Sequence, residues 1–215
     1  DPTTNTTTRA ADINPGGGSS LDNVDQPFTV LNNQLYFVAT DGATGRELWR
    51  HDPAANTTTL VADIQSGAGS PEIDQLIVLN NQLYFSADDG NGVVGQELWR
   101  HDPATNTTSL VADIRAKAPG SFPTQFATLG NNLYFAALGG ASGVELWKYS
   151  PATSSAALVA DINPGSGWSS PSQLTALDGQ LYFKADDGST GQELWRHDPI
   201  ANTTTRVADV NSGSA

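Results

Sequence analysis

The 215-residue chain contains no cysteine and no methionine. Without cysteine it has no disulfide bond, zinc–thiolate site, iron–sulfur cluster or cysteine nucleophile. Without methionine it lacks the residue with which translation begins, and it starts at Asp1. We therefore expect that an N-terminal segment is removed from a precursor, with a fragment of a longer tandem array as the alternative. No stretch approaches the roughly 20 apolar residues of a spanning helix, so we expect no membrane insertion.

Charge is scarce and mostly negative. Charged residues make up 15% of the chain, below the roughly 25% of ordinary soluble domains. There are 23 acidic and 10 basic residues, giving a net charge of −13. This balance disfavours nucleic acid, whose binders carry a basic face. The hydrophobic fraction of 38% is enough for a core, so we do not expect a disordered chain.

Three short motifs repeat at nearly constant spacing, the signature of a repeat architecture. Leu-Tyr-Phe begins at residues 35, 83, 133 and 181, and Glu-Leu-Trp begins at 47, 97, 145 and 193. Ala-Asp followed by Ile or Val occurs five times, with Asp at 12, 63, 113, 161 and 209. Extra residues collect in the glycine-rich stretches 16–25 and 88–95, which we therefore interpret as surface loops.

Each repeat reads as four β-strands, A to D. In the second repeat we predict strands at 72–79, 82–87, 96–101 and 107–114, with a two-residue hairpin at Asn80-Asn81. Recurrent Gly and Pro and the lack of a 3.6-residue apolar period disfavour helix. Four such units predict an all-β fold, a single-domain β-propeller of four four-stranded blades. A β-solenoid and an open row of blades are the alternatives.

The strand count leaves one strand over. The repeats span approximately residues 14–64, 65–114, 115–162 and 163–210, and 1–13 forms a fifth segment of type D. Both termini thus carry a candidate for one place at the outer edge of a blade. We predict head-to-tail self-assembly, ending in a filament, by exchange of a terminal strand between molecules. The expected assembly residues are Thr4, Thr6, Thr8, Ala10, Asp12, Ile13, Thr204, Val207 and Asp209.

The stretch GRELWRHDP at 45–53 and its counterparts at 95–103, 143–151 and 191–199 resemble the ELW-repeat family of large bacterial surface and secreted proteins. That family carries Glu-Leu-Trp-x-x-Asp-Gly-Thr, whereas this chain has Asp-Pro-x-x-Asn-Thr-Thr after the motif, and Ser150 replaces Asp in the third repeat. The resemblance covers essentially the whole chain. It implies an extracellular or cell-surface, propeller-like, non-enzymatic protein with no catalytic residues.

The Glu-Leu-Trp motif itself offers two chemistries. Its Glu and Trp share one strand face, so the four carboxylates could bind a cation or substrate. The four indoles could stack on sugars, which would make a multivalent carbohydrate-binding propeller. We favour a framework role, in which Glu accepts N–H bonds and Trp packs between blades, because near-identical repeats supply only one carboxylate environment. The framework residues are Glu47, Trp49, Glu97, Trp99, Glu145, Trp147, Glu193 and Trp195.

Several other residues could bind a ligand or carry a modification. The Asp-Gly loops offer two or three acids where calcium wants 6–8 oxygens, so we favour turn chemistry and expect no cofactor; the candidate calcium residues are Asp41, Asp89 and Asp187. His51, His101 and His197 follow Trp-Arg, and we expect solvent-facing strand positions rather than a metal site. Trp168 stands alone in a loop as a candidate contact residue. Glycosylation sequons begin at Asn5, Asn56, Asn106 and Asn202.

Overall fold

The computed structural model describes residues 3, 5–21, 28–116 and 119–208. In this part of the chain, sixteen strands form four antiparallel four-stranded sheets, each in sequential strand order. The first sheet consists of β1 (Thr29–Leu31), β2 (Gln34–Thr40), β3 (Arg46–Asp52) and β4 (Thr57–Ala62). The second consists of β5 (Asp74–Leu79), β6 (Gln82–Ala87), β7 (Glu97–Asp102) and β8 (Thr107–Ala112). The third consists of β9 (Thr124–Leu129), β10 (Asn132–Gly139), β11 (Gly143–Ser150) and β12 (Ser155–Ala160). The fourth consists of β13 (Ser172–Leu177), β14 (Gln180–Asp186), β15 (Gln192–Asp198) and β16 (Thr203–Ala208).

The sheets confirm the predicted four-stranded blades, with small differences at strand ends. In the second repeat, β6 spans the predicted 82–87. Strand β8 ends two residues before the predicted 114, because the N–H of Ile114 donates to the Glu97 carboxylate at 3.0 Å instead of to a strand. Asn80 and Asn81 both have left-handed backbone, with φ of 49° and 62°, which matches the right-handed twist of the strands that this hairpin joins.

Consecutive sheets stack face to face. Each sheet has a front face toward the preceding sheet and a rear face toward the following one. In the second sheet the front face carries Leu83 and Phe85, and the rear face carries Tyr84 and Leu98. Buried clusters join the first sheet to the second, the second to the third and the third to the fourth. Alternation along β6 thus gives both sheet faces a buried partner, because successive side chains point to opposite sides.

The row of sheets is open. Within the described residues no hydrophobic cluster joins the fourth sheet to the first. The described residues therefore form an open row of blades and not a closed ring of four. No helix in the described part of the chain is long and apolar enough to cross a membrane.

The surplus strand predicted within residues 1–13 is not found among the described residues. Thr4 lies outside the described residues, and 5–13 carry no strand. The physical reason is the lack of a partner: each C strand (β3, β7, β11 and β15) already pairs with its own D strand. The segment still reaches the front face of the first sheet, where Ile13 packs against Phe37 and Trp49.

Candidate functional site

In the first three repeats, the Glu of Glu-Leu-Trp is a buried fastening point for the connector to the next sheet. Glu47 accepts hydrogen bonds from the backbone N–H of Ile64 at 2.9 Å and of Gln65 at 3.1 Å. Glu145 accepts from the N–H of Ile162 at 2.9 Å and from the hydroxyl of Ser169 at 2.6 Å. These carboxylates therefore hold the connector that leaves one sheet for the next, and the framework role explains their burial.

Burial and hydrogen bonds act in opposite directions on these carboxylates. Burial raises the pKa of Glu47 to about 7, and the N–H bonds from Ile64 and Gln65 only partly offset it. Burial also raises the pKa of Glu97, and the hydrogen bond that the Ser121 hydroxyl donates to this carboxylate acts in the opposite direction and lowers it. The first repeat has Pro71 where the next has Ser121, each 24 residues after its Glu. Proline has neither hydroxyl nor N–H, so Glu47 has fewer donors.

The tryptophans of the motif pack between sheets, as the framework role requires. Trp99, Trp147 and Trp195 each lie against the cluster shared with the preceding sheet. The indole N–H of Trp195 donates to the carbonyl of Ala185 at 3.0 Å. Trp49 is also buried, but its neighbours come from the first sheet and from Ile13. None of the four offers an exposed ring for sugar stacking.

The expectation of solvent-facing histidines is wrong for two of the three. His101 and His197 are 0% and 1% exposed, and burial lowers the pKa of each. The signal was present in the sequence: His comes two residues after Trp and therefore shares its buried front face. In the part of the chain that the structure describes, no group of three His, Asp or Glu side chains is placed to hold a metal.

Each internal contact between sheets contains one aromatic pair of constant geometry. A rear-face Tyr meets the ring at the His position of the next sheet. The centroid distance is 5.7 Å for Tyr36–His101, Tyr84–Tyr149 and Tyr134–His197, with interplanar angles of 46°, 50° and 52°. A contact between two sheets of this chain therefore includes a rear-face Tyr packed against the ring at the His position of the following sheet.

The rear face of the fourth sheet lacks such a contact within the described residues. Leu194 is 44% exposed. The leucines at the same motif position in the other sheets are all 0% exposed: Leu48, Leu98 and Leu146. Leu177 and Val207 are 56% and 48% exposed, and Tyr182 is half-buried. We call Leu177, Tyr182, Leu194 and Val207 the rear end face.

The front face of the first sheet is covered only in part. We call Phe28, Val30, Leu35, Phe37 and Trp49 the front end face. Phe28 and Val30 are 57% and 65% exposed, whereas Phe37 is covered by Ile13 and by the edge of Phe28, whose ring centroid lies 5.6 Å away. A cleft of about 250 Å³ remains between residues 9–13 and this face, and His51, Leu35 and Thr58 line it.

The predicted assembly residues lie in two groups that the structure does not bring together. Thr6, Thr8, Ala10 and Asp12 are exposed, and Asp12 pairs with Arg9 at 3.1 Å. At the other end of the row, the Thr204 hydroxyl lies 2.9 Å from Nδ1 of His197, and Val207 belongs to the rear end face. Thr4 and Asp209 lie outside the described residues.

The Asp-Gly loops use their carboxylates to order turns. Asp41 accepts from the N–H groups of Ala43 and Thr44, each at 2.8 Å, and the Thr44 bond is the first of the causes that lower the pKa of Asp41. Asp187 accepts in the same way from Ser189 and Thr190. Asp89 accepts from Asn91. Turn formation accounts for these carboxylates, as the sequence favours.

The sequons and the lone tryptophan are exposed. Asn5, Asn56, Asn106 and Asn202 lie on turns with left-handed backbone, with φ of 50° or 51°. Trp168 is 59% exposed, and its carbonyl accepts a bond from the Asn163 amide at 3.4 Å. Among the five tryptophans it alone presents an open ring.

Comparison with solved structures identifies the fold. Puromycin hydrolase is similar with a TM-score of 0.61 at 17% identity, over 85% of this chain and 28% of the hydrolase. TolB from Acinetobacter baumannii gives a TM-score of 0.54 at 12% identity, over 85% of this chain and 44% of TolB. These neighbours are β-propeller proteins, and the chain has a β-propeller fold.

The likeness stops at the fold. The chain spans less than half the length of these neighbours, and the identities are below 20%. A puromycin-hydrolyzing peptidase of Mycobacterium tuberculosis shows the same limits, with a TM-score of 0.56 at 14% identity over 26% of its length. Neither a family model nor a curated protein matches the chain.

Proposed function

We propose that this protein is a non-enzymatic, extracellular or cell-surface structural protein whose molecules join head to tail by exchange of a terminal strand. The observation that supports this most is the pair of unlike end faces. The rear end face exposes Leu194, whose counterparts are fully buried against the next sheet. The front end face retains a cleft beside His51.

Unlike faces determine the kind of assembly. When a rear end face meets a front end face, the contact is heterologous, so each molecule keeps one free face of each kind. Such contacts close into a ring or continue as a filament. We propose the filament, since four blades in one chain already form an open row.

The strand exchange rests on sequence equivalence at the two ends. Residues 6–11 read Thr-Thr-Thr-Arg-Ala-Ala, and β16 reads Thr-Thr-Thr-Arg-Val-Ala. Ile13 already packs on the front end face. In the same way, Ile64 packs at the contact between the first and second sheets, and Ile114 at the contact between the second and third. When the fourth sheet of one molecule stacks there, residues 4–13 of the other compete with β16 for pairing to β15. Backbone pairing of this kind is β-augmentation.

The proposed location and the absence of catalysis have separate support. The resemblance to the ELW-repeat family implies a secreted protein, and the four exposed sequons suit such a location. The buried Glu side chains, which would be the first candidates for acid–base chemistry, are engaged with connector N–H groups. The hydrolase and peptidase names belong to the structural neighbours, which share the fold.

Disulfide trapping in this cysteine-free chain tests the exchange directly. Arg196 pairs with Thr205 in the fourth sheet, and Thr8 is the counterpart of Thr205 in the N-terminal segment. Antiparallel partners have Cα atoms about 4.5–5.5 Å apart, within disulfide range. We expect Thr8→Cys with Arg196→Cys to give covalent multimers on oxidation, visible on a non-reducing gel.

The matched control locks β16 in place. Thr205→Cys with Arg196→Cys forms an intramolecular disulfide that keeps β16 on β15, and it carries the same Arg196 substitution beside Tyr182 as the trapping variant. Light scattering and electron microscopy should then show loss of assembly, restored by reduction. Assembly that persists in the locked variant would remove strand exchange from the proposal, and a wild-type chain that stays monomeric at every concentration would remove self-assembly.

A carbohydrate-binding propeller is the second candidate, and Trp168 is the observation that favours it. Its exposed ring could stack on a sugar, whereas the four Glu-Leu-Trp indoles are packed between sheets or under Ile13. A glycan array with Trp168→Ala as the control tests this function. Binding that needs Trp168 supports it, and an array without any bound glycan argues against it.

A further inference from the structure

The cleft beside His51 marks the place where one aromatic pair of the repeat is missing. At each internal contact a rear-face Tyr lies 5.7 Å from the ring of the next sheet. His51 occupies the first-sheet position equivalent to His101 and His197, and no ring contact to it is present among the described residues. In place of the Tyr there is a cleft of about 250 Å³.

Within the described residues, Tyr182 is the rear-face tyrosine that no following sheet covers. Its counterparts are fully buried: Tyr36, Tyr84 and Tyr134. We infer that Tyr182 of one molecule enters the cleft beside His51 of a second copy, so that the rear end face binds the front end face as an additional contact of the internal kind. This inference rests on the proposed function and names the surface that carries it.

The tyrosine is already held in the required position. Its hydroxyl donates to the side-chain carbonyl of Gln180 at 3.2 Å, and the amide of Gln180 donates to Asp198 at 3.1 Å. The same relay holds Tyr84, through Gln82 and Asp102, at an internal contact. A ring that is ordered before binding loses little conformational freedom on binding, which favours affinity.

The ring of His51 is also held by a hydrogen bond. Nδ1 of His51 lies 2.8 Å from the Thr58 hydroxyl, as Nδ1 of His197 lies 2.9 Å from Thr204. Leu35 and Phe37 line the cleft together with His51, and their counterparts Leu181 and Phe183 belong to the third internal cluster. The cleft thus presents the side chains that surround a tyrosine elsewhere in this chain.

One residue sets a limit on the strength of the contact. Lys184 is exposed on the rear face of the fourth sheet. Small or apolar side chains hold that place elsewhere: Val38, Ser86 and Ala136. Burying an ammonium group without a partner is costly, and lysines of this kind restrain contact between exposed sheets. We therefore expect Lys184→Ala to tighten association at least tenfold.

Two half-blocked variants test the contact. Leu194→Asp places a charge on the rear end face and leaves the cleft intact, whereas Phe28→Asp blocks the front end face and leaves Tyr182 intact. We expect each variant alone to be monomeric in light scattering and the mixture to give a one-to-one dimer that grows no further. Ile200→Asp is the control, because Ile200 is 95% exposed on a turn outside both faces.

The ring of His51 reports the insertion itself. With histidine-labelled Leu194→Asp protein, unlabelled Phe28→Asp protein should shift the His51 ring signals by NMR and leave those of His101 and His197 in place. Phe28→Asp protein that also carries Tyr182→Ala should bind at least tenfold more weakly and cause no shift.

The outcomes separate the two proposals. If the wild-type protein assembles and both half-blocked variants still assemble like it, the contact is wrong while self-assembly stands. If Leu194→Asp blocks assembly but Phe28→Asp does not, the rear end face pairs with itself and the His51 site is overturned. A wild-type protein that never associates overturns both proposals.

Discussion

The third and fourth sheets carry the same motif but place it in different surroundings. Leu146 and Leu194 follow the same Glu in Glu-Leu-Trp and pair with the neighbouring strand in the same register. Leu146 is 0% exposed against the fourth sheet, and Leu194 is 44% exposed. Within the described residues a further sheet follows the third sheet but not the fourth, and this difference in packing accounts for the exposure of Leu194.

This comparison shows that a repeat cannot bury its own rear face. Each internal contact combines a front face with the rear face before it, as expected for units that become stable by stacking. The energetic value of a given side chain therefore depends on its place in the row.

The largest expected effect contrasts the two leucines directly. Leu146→Ala removes fully buried methyl groups and leaves a cavity, so we expect a loss of about 2–5 kcal/mol in the free energy of unfolding. Leu194→Ala should cost less than about 1 kcal/mol in the monomer, because much of that side chain is already in water. Urea unfolding followed by tryptophan fluorescence measures both. Equal losses would contradict the difference in packing.

The hydrogen bonds to buried and exposed carboxylates can be compared in the same way as the two leucines. Ser169→Ala removes the hydroxyl that donates to Glu145 at 2.6 Å and leaves a buried carboxylate with fewer donors. We expect a loss of about 1–3 kcal/mol in the free energy of unfolding at neutral pH. Ser189→Ala serves as the control, since Ser189 donates to Asp187 in an exposed loop and should cost little. A similar loss in both variants would argue against the fastening role.

The pH dependence of stability tests the carboxylate that lacks this serine. The pKa of Glu47 rises from about 4.5 in the unfolded chain to about 7 in the folded one because of burial. Between these values the folded state binds more protons, so the Glu47 contribution to stability falls as pH rises. Pro71→Ser should add a donor, lower that pKa and raise stability by about 1 kcal/mol at pH 7.

The check on that prediction is the difference in unfolding free energy between Pro71→Ser and wild type. It should grow as pH rises from 4.5 to 7 and then level off. Glu47→Gln provides the second control, because it removes the titrating group and should abolish this part of the pH dependence. A difference that is flat across the window would show that the serine does not reach the carboxylate.

The smallest expected effect lies on the C-to-D turns. Asn106 and Ser154 both adopt left-handed backbone, with φ of 51° and 50°, a conformation that Asn tolerates better than Ser. We expect Ser154→Asn to stabilise the protein by a few tenths of a kcal/mol, and Asn106→Ala to cost about 1 kcal/mol. The midpoints of thermal unfolding of both variants and of the wild type measure these effects. A Ser154→Asn variant that is less stable than the wild type would contradict the turn argument.

The sequence predicts the repeated framework well. Motif spacing and two-residue hairpins such as Asn80-Asn81 place strand β6 at its observed bounds, because local turn chemistry and period-two alternation determine them. The buried Glu and packed Trp also follow from the motif. The histidine faces were predictable from the same alternation, since His101 lies two residues after Trp99 in β7.

What the sequence does not reveal depends on contacts between distant parts. Residues 5–13 have the composition of a D strand but form none, because a strand needs a free partner edge and β15 is already paired with β16. The cleft beside His51 likewise lies where no sheet precedes the first one within the described residues, and the residues of the first repeat do not by themselves indicate this.

The buried Glu side chains have a mechanical consequence. Inside one molecule the covalent connector and the carboxylate that grips it fix the angle between sheets, as Glu97 does through Ile114 and Arg115. In the strand exchange that we propose, residues 4–13 of one molecule would pair with β15 of the next and continue into their own first sheet. The joint between molecules would then also contain a covalent connector, and Glu193 would stand beside it as Glu97 stands beside Ile114 and Arg115. A pulling force on such a filament would act on the paired strands as well as on the contact between end faces.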